Sequence, residues 1–231
     1  MPPSELRKDD LRLIVTRLPK DIRKLITERG LLLGGGFIRA TIAGEKPSDV
    51  DLFGAAKDQL EAASRKLNAD RPGSRFHSSK NAFTVLSGSR MPVQFIHRWL
   101  FANATECTDS FDFTVAQAVV WFENDDWKST CHSDFYADLA ARRLTYCSPK
   151  RNEDAGGSLL RVRKFLSRGY NIQAPSLAAV IARLCGAVDW GKVQDEEQSA
   201  KVLCGLLREV DPLIAVDGLD LVDEHEVLEE K

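Results

Sequence analysis

The sequence predicts an α+β fold, in which a small mixed sheet is flanked by helices and followed by a small helical domain. Three observations lead to this prediction. A strand, a glycine turn, a short helix and a second strand follow one another over residues 31–53. Two more strand patterns, joined by a tight turn, cover residues 82–96. Beyond residue 149 the apolar residues recur at helical spacing, which is typical of a sheet domain with a helical extension.

Each element follows from its own pattern of apolar residues and its end signals. Ser4 is a candidate N-cap for the first helix, and Gly44 closes the short helix after the glycine turn. Residues 113–122 fit a strand and a buried helix equally well. Helices are predicted at residues 4–18, 21–29, 37–43, 55–68, 134–144, 158–168, 175–188 and 194–210, and strands at residues 31–33, 48–53, 82–86 and 92–96.

The change from mixed to purely helical patterns places a domain boundary near residue 150. We expect residues 1–150 to form the domain that contains the candidate site described below, and residues 151–231 to form a helical domain with an acidic tail. Residues 185–231 contain 4 Lys and Arg against 13 Asp and Glu, whereas residues 1–184 contain 28 against 21. A basic body suits a polyanionic partner, and an acidic end is typical of a solvated helix or terminus.

Composition excludes several classes of protein. Hydrophobic residues make up 43% of the chain, too many for a disordered protein. The five cysteines are odd in number and contain no CxxC pair, which argues against a disulfide framework and a zinc knuckle. The chain contains neither a run of about 18 apolar residues nor a secretory signal at its start, so we expect no membrane partner and a cytoplasmic location.

Asp49 and Asp51 are the candidate metal ligands and catalytic residues. They are two positions apart on a predicted strand, so their side chains project from the same face. Paired carboxylates can hold hard cations such as Mg²⁺, and a two-metal site supports phosphoryl transfer. Acidic pairs are also common at solvent-facing strand edges, so this pair alone leaves a structural role open.

The turn that precedes this strand is a candidate phosphate-binding site. Gly35 and Gly36 allow a phosphate to approach the backbone closely, and the N–H groups at the start of the following helix point towards an anion. Arg39 lies one turn inside that helix and can add a charge-assisted hydrogen bond. A tight turn with a surface arginine is the alternative.

Together these residues form a longer motif, GGFIRATIAGEKPSDVD at residues 35–51. It resembles the signature GGxVRDxLLGxxPxDxDx of tRNA nucleotidyltransferases and bacterial poly(A) polymerases, which have the polymerase-β-like fold. The resemblance implies that Asp49 and Asp51 bind the metal ions and that Gly35, Gly36 and Arg39 face the triphosphate. Ala40 departs from the pattern, because the family has an aspartate there.

Two later segments extend the resemblance. The sequence SFDFTV at residues 110–115 resembles the RRDFTINA motif, which implies that Asp112 contacts the sugar of the nucleotide. The segment from Glu153 to Phe165 is similar to the EDxxRxxRxxRF element, which implies that Asp154 and Arg161 bind the incoming base. The alternative for Arg161 is a basic helix face.

Gln94 is a further departure from the superfamily pattern. Many superfamily members carry a third carboxylate on the strand that here reads VQFI, residues 93–96. A neutral amide can neither act as a general base nor balance metal charge. Either two carboxylates suffice, or the site binds a nucleotide without turnover.

The sequence therefore predicts a magnesium-dependent nucleotidyltransferase that binds ATP or another nucleoside triphosphate. It would transfer the nucleotide to a hydroxyl, with an RNA 3′ end, tRNA-like, as the preferred acceptor. One alternative is a minimal transferase that modifies a protein or a small molecule. The other is a degenerate protein that binds nucleotide or RNA without turnover. Neither the nucleotide nor the oligomeric state is determined by the sequence.

Overall fold

A computed structural model describes residues 4–88, 90–149 and 156–207 of the chain. Within these residues, helices alternate with strands up to residue 144 and predominate after it. The α-helices are α1 (Lys8–Arg17), α2 (Lys20–Arg29), α3 (Gly36–Ile42), α4 (Lys57–Asp70), α5 (Ala104–Asp109), α6 (Phe135–Ala140), α7 (Gly157–Ser167), α8 (Ala174–Gly186) and α9 (Glu196–Leu207). The strands are β1 (Leu32–Gly34), β2 (Val50–Phe53), β3 (Arg75–Ser78), β4 (Ala82–Leu86), β5 (Val93–Ile96), β6 (Ala118–Glu123), β7 (Asp126–Cys131), β8 (Arg143–Leu144) and β9 (Asn171–Ile172).

Seven of the described strands form one mixed sheet in the order β3-β4-β5-β2-β1-β6-β7. The pair β2–β5 is parallel and the other neighbours are antiparallel. The central strands β1 and β2 are short and fully buried, because helices and loops cover both faces. This arrangement confirms the predicted α+β class, with a mixed sheet flanked by helices.

The two faces of the sheet have different roles. Leu33, Leu52 and Phe95 point to one face and join the larger buried cluster with helices α1, α2 and α4. Leu32 and Phe53 point to the other face and join a smaller cluster that includes residues of α5. Because side chains alternate along a strand, Asp51 lies on the same face as Phe53. The carboxylate therefore projects from the face with the smaller apolar cluster.

Helix α7 packs directly against the sheet domain. Val162, Phe165 and Tyr170 belong to the larger buried cluster, together with residues of β1 and β2. Phe165 makes an edge contact with Phe113, with ring centroids 5.9 Å apart. Residues at the start of the helical region therefore share the core of the sheet domain. The boundary near residue 150 stays a prediction.

Most of the predicted elements agree with the structure to within a few residues, but two predicted helices are shorter. The helix predicted at residues 134–144 ends at Ala140, because Arg143–Leu144 pair with β9 as strand β8. The first helix is also shorter. It begins at Lys8, because the backbone N–H of Ser4 donates to the Cys131 carbonyl, 2.9 Å away, in an isolated bridge to β7. Ser4 therefore extends the sheet and does not cap α1. The ambiguous segment 113–122 contains a 3₁₀ turn, Thr114–Ala116, followed by β6.

Among the described helices, none is long and apolar enough to cross a membrane.

Candidate nucleotide-binding and catalytic site

The site begins at the turn between β1 and α3, where only glycine fits. Gly35 has a positive φ of 74°, and a Cβ atom there would lie 2.9 Å from Oδ2 of Asp51. Gly34 is in register with Asp51 on the neighbouring strand. The absence of a side chain at Gly35 therefore allows the carboxylate to lie directly against the turn.

Asp49 and Asp51 both reach this turn from β2 and the residue before it. Their relative exposures are 5% and 3%, so both carboxylates are buried in the protein. The Ser48 hydroxyl donates a hydrogen bond of 3.0 Å to Oδ1 of Asp49. Two buried carboxylates beside a glycine turn concentrate negative charge where a cation would compensate it.

Arg39 supplies the positive charge on the other side of the turn. It is only 4% exposed, and its guanidinium lies 4.9 Å from the centroid of the Phe165 ring. Its Nη2 atom is 3.9 Å from Oε2 of Glu45, and its Nε atom has no hydrogen-bond partner. Burial lowers the pKa of Arg39 from its ordinary value, although arginine remains charged at neutral pH. A buried guanidinium with an unused donor is suited to bind an anion.

Asp112 and Arg161 form a buried ion pair at the far end of the site. Nε of Arg161 donates to Oδ2 of Asp112 over 2.6 Å, which joins α7 to the loop after α5. Thr114, from the same motif as Asp112, donates to Asp138 in α6. Asp112 thus connects the segment after α5 to α7, and Thr114 connects the same segment to α6.

Gln94 lies beside the acidic pair but contributes no charge. It is in register with Asp51 across the parallel pair β2–β5 and is 0% exposed. Neither Nε2 nor Oε1 of its amide has a hydrogen-bond partner. Buried amides are nearly always hydrogen-bonded, so this one is out of the ordinary.

Seven of the eight predicted site residues line the same pocket. It is lined by Gly35, Gly36, Arg39, Asp49, Asp51, Asp112 and Arg161. The eighth, Asp154, lies outside the described residues. Sequence reasoning did not single out three other lining residues, Phe111, Phe165 and Arg168, as parts of the site. The basic residues along α7 could have indicated that Arg168 lies near the site. In the sequence, Phe111 and Phe165 cannot be distinguished from ordinary core residues.

Comparison with known proteins identifies the family of this chain. Residues 5–142, well over half of the sequence, match the model of the Gabija anti-defense 2 family. The chain belongs to that family. A curated relative named Gabija anti-defense 2, from Bacillus phage SPbetaL7, is 24% identical over 164 residues. The match covers 71% of this chain and 40% of the relative, so this family member spans about two fifths of the relative's length.

Solved structures similar to this family member include CCA-adding enzymes. A Thermotoga maritima CCA-adding enzyme complexed with tRNA is 17% identical, with a TM-score of 0.53 over 94% of this chain and 54% of that enzyme. A CCA-adding enzyme with CTP is 18% identical, with a TM-score of 0.53 over 90% of this chain and 52% of that enzyme. At these identities the similarity confirms the nucleotidyltransferase fold. The Gabija anti-defense 2 family is a more specific assignment than the tRNA nucleotidyltransferases and poly(A) polymerases that the sequence resembles.

The donor set of the pocket fits Mg²⁺ in part. Asp49 and Asp51 offer hard oxygen ligands on one side of the glycine turn. No group of three or more His, Cys, Asp or Glu side chains suited to a metal ion occurs among the residues that the structure describes. Magnesium commonly binds one or two carboxylates together with substrate phosphates, so a set of two is compatible with it.

Proposed function

We propose that this chain is a magnesium-dependent nucleotidyltransferase, which transfers a nucleoside monophosphate from a nucleoside triphosphate to a hydroxyl group. The placement of Asp49 and Asp51 against the Gly35 turn, in one pocket with the buried Arg39 guanidinium, carries the proposal. Ligands for a cation and a donor for a phosphate thus lie side by side. Phosphoryl transfer depends on this combination, because the protein contributes mainly positioning and electrostatic stabilisation.

In this proposal the two carboxylates have the metal-binding role. Asp49 and Asp51 would hold a pair of Mg²⁺ ions, with the triphosphate completing the coordination. Bound Mg²⁺ would neutralise phosphate charge and acidify the attacking hydroxyl. Ser48 orients Asp49 through its hydrogen bond.

Arg39 and the glycine turn would bind the phosphates. The backbone at Gly35 and Gly36 is open to a close approach, and the Arg39 guanidinium has an unused donor. The acceptor oxygen forms a bond to the α-phosphorus while the bond to the bridging oxygen breaks, and pyrophosphate leaves. Arg39 would stabilise the charge that develops on the leaving group, because its position is fixed by Phe165 before the substrate binds.

The nucleoside would occupy the other end of the pocket. Phe111, Ala116 and Phe165 add an apolar lining on which a base can pack. The resemblance assigns Asp112 to the sugar and Asp154 and Arg161 to the base. Since Asp112 and Arg161 share a short ion pair, we expect them to act as a unit. Residues 151–231 would then serve as a neck-like domain that completes the nucleoside pocket.

The proposed acceptor is the 3′ end of an RNA, and the proposed setting is the counteraction of antiviral defence. The similar solved structures include a CCA-adding enzyme complexed with tRNA, and the family takes its name from anti-defence against Gabija. We propose that nucleotide transfer is the activity through which this chain acts in that setting. A protein or small-molecule acceptor is the alternative.

A second candidate function is nucleotide binding without turnover. It is favoured by Gln94, which places a neutral amide beside Asp51 and leaves β5 without a carboxylate. In that case the fold would act as a sensor or a sequestering protein. Both candidates use the same pocket, so binding measurements alone do not separate them.

A transfer assay separates the candidates. The pure protein is incubated with each α-labelled triphosphate, Mg²⁺, total RNA and a protein extract, beside an Asp49→Asn, Asp51→Asn double variant. Label in RNA that the double variant abolishes supports the proposal, and label in protein supports the alternative acceptor. Nucleotide binding with no label in RNA, in protein or in a new small-molecule product, and with no pyrophosphate released, would overturn the transferase and leave the binding protein.

A further inference from the structure

A second, strongly basic pocket opens beside the site. It has a volume of about 310 Å³, which is more than a phosphate group needs. It is lined by Arg39, Glu45, Lys46, Ser48, Arg142 and Arg168. Arg39, Ser48 and Arg168 also line the pocket that contains Asp49 and Asp51, so the two pockets adjoin. Among the lining residues that the structure describes, four side chains are cationic and one is a carboxylate.

Arg39 is the buried member of this cluster. It is 4% exposed, and its Nε atom has no hydrogen-bond partner. Besides burial, the nearby charge of Arg168 contributes to the lowered pKa of Arg39. Two like charges in partly buried surroundings repel each other unless an anion lies between them.

Glu45 compensates these cations only loosely. Its Oε2 atom is 3.9 Å from Nη2 of Arg39, and its Oε1 atom is 3.3 Å from Nη1 of Arg142. Charge-assisted hydrogen bonds are shorter, about 2.7–2.9 Å. Oε1 is buried and has no hydrogen bond. The carboxylate therefore lies between two arginines without the geometry of a strong ion pair.

Arg142 is held in place by an uncommon backbone conformation. Its φ angle of 47° lies in the left-handed region, which disfavours residues other than glycine. Its Nη1 atom donates to the Arg168 carbonyl over 2.8 Å, and its guanidinium lies 5.7 Å from the centroid of the Tyr170 ring. Strained residues persist where their surroundings fix them, and they cluster at ligand-binding sites.

We propose that Arg39, Lys46, Arg142 and Arg168 form a phosphate-binding subsite, in which a phosphate group displaces the carboxylate of Glu45. The subsite adjoins the Asp49–Asp51 site and shares Arg39, Ser48 and Arg168 with it. The phosphate belongs either to the end of the nucleotide's triphosphate or to the acceptor. Only this assignment of the source rests on the proposed transferase function, because phosphate binding itself requires no turnover.

The first experiment titrates inorganic phosphate into the full chain by calorimetry, in EDTA so that no metal contributes. We expect Arg142→Gln to weaken binding roughly tenfold, the loss of about one charge-assisted hydrogen bond. Glu45→Gln removes the competing anion at constant size, so we expect it to strengthen binding about threefold. Arg65→Gln, on the exposed face of α4, changes the charge equally and serves as the control.

Three outcomes would overturn the subsite: no phosphate binding, equal affinities in all four proteins, or weaker binding in Glu45→Gln. The last would show that Glu45 positions the arginines for the ligand. If Arg142→Gln does not fold, as judged by its thermal transition, the exposed Lys46→Gln replaces it, with the same expected direction. If the protein binds phosphate in this way but transfers no nucleotide, the proposed subsite stands and only the proposed transferase function fails.

A competition experiment then identifies the source of the phosphate. If the subsite holds the end of the triphosphate, phosphate competes with CTP but not with CMP, and Arg142→Gln weakens CTP binding. If it holds a phosphate of the acceptor, phosphate and CTP bind together, and Arg142→Gln weakens binding of a short oligonucleotide. Either pattern supports the subsite. An Arg142→Gln variant that binds CTP and the oligonucleotide as tightly as the unchanged protein would overturn it.

Discussion

Nε of Arg161 lies 2.6 Å from Oδ2 of Asp112, and both side chains are almost entirely buried. The two residues are 49 positions apart in the sequence. Their contact joins helix α7 to the loop that carries the DFT sequence and places both residues in the wall of the site pocket. The pair thus couples the packing of α7 to the shape of the nucleoside end of the pocket.

Arg161→Ala should destabilise the fold by about 3 kcal/mol, because it leaves the Asp112 carboxylate buried without its arginine. Asp112→Asn keeps the shape and removes the charge, and the double variant should lose less stability than the two single changes together. Urea unfolding of the four proteins measures this coupling. Additive losses would show that the two side chains contribute independently.

The same arginine should affect the choice of nucleotide. Arg161→Ala is expected to change the ratio of affinities among ATP, CTP, GTP and UTP more than it changes RNA affinity. Isothermal titration with each triphosphate and an RNA oligonucleotide checks this. An equal loss for all four nucleotides would show that Arg161 maintains the shape of the pocket through its ion pair and does not distinguish the bases.

Gln94 allows two matched substitutions with opposite expectations for stability. Gln94→Met has a similar volume and removes a buried amide that lacks hydrogen bonds, so it should raise the free energy of unfolding by about 1 kcal/mol. Gln94→Glu buries a further carboxylate and should lower it when no metal is present. Chemical denaturation in EDTA tests both signs. A loss of stability in Gln94→Met would indicate that the amide has a partner in solution.

A nucleotide-transfer assay tests whether the absence of a third carboxylate limits the activity. Gln94→Glu should speed nucleotide transfer and lower the Mg²⁺ concentration needed for half-maximal rate, because a third carboxylate adds metal affinity. Gln94→Met is the control for a change of side chain without charge. No gain with Gln94→Glu would show that two carboxylates suffice for this centre.

The sequence allowed the acidic half of the site to be predicted, because its signals are local. Asp51 lies in β2 and Asp49 directly before it, so their spacing places both carboxylates on the side of the Gly35 turn once β2 pairs with β1. The contact of Arg161 with Asp112 depends on how α7 docks, which no local pattern determines. The same holds for Arg168.

The edge strand β3 and the position of Glu45 also could not be predicted from the local sequence. Strand β3 is mostly exposed and lacks the apolar alternation that marks a strand. Glu45 follows a glycine in a loop and looks like an ordinary solvated acid in the sequence. Its place between Arg39 of α3 and Arg142, which follows α6, results from the tertiary packing that brings these distant segments together.

The ion pair of Asp21 should make stability depend on pH in the acidic range. Burial raises the pKa of Asp21, but the hydrogen bond and charge of Arg71 outweigh it, so the pKa is below its ordinary value. A lowered pKa in the folded state gives stability that is present above the ordinary value, near 3.9, and lost as pH falls through the folded value. Asp21→Asn should therefore be less stable at neutral pH. The difference from the unchanged protein should shrink below about pH 4 in thermal unfolding.

Asp51→Asn should abolish nucleotide transfer while weakening nucleotide binding less. The amide keeps the shape of the carboxylate and removes its negative charge, and Mg²⁺ depends on that charge. Transfer of labelled nucleotide and calorimetric binding of a non-hydrolysable triphosphate are measured on the same preparations. Asp58→Asn, on the exposed first turn of α4, is the control for an equal change of charge. Transfer at the unchanged rate would contradict the assignment of Asp51 to the metal.

Gly35→Ala tests whether the close approach of Asp51 to the turn matters beyond backbone strain. Gly30→Ala is the control for a Cβ atom at a positive φ angle, because such an atom at Gly30 would meet nothing within 4 Å. Gly30→Ala should cost about 1 kcal/mol, since Gly30 has the left-handed helical conformation, with φ 61° and ψ 39°. Gly35→Ala should cost more, about 1–3 kcal/mol, since its φ of 74° and ψ of −143° lie in a region that only glycine adopts readily. Only Gly35→Ala should also displace the Asp51 carboxylate, since its Cβ would lie 2.9 Å from Oδ2. We therefore expect Gly35→Ala to unfold at a lower temperature than Gly30→Ala and, at a temperature where both are folded, to be the variant that loses Mg²⁺-dependent transfer. Equal activity in the two variants would show that the carboxylate tolerates the displacement, and that the glycine serves the turn and not the site.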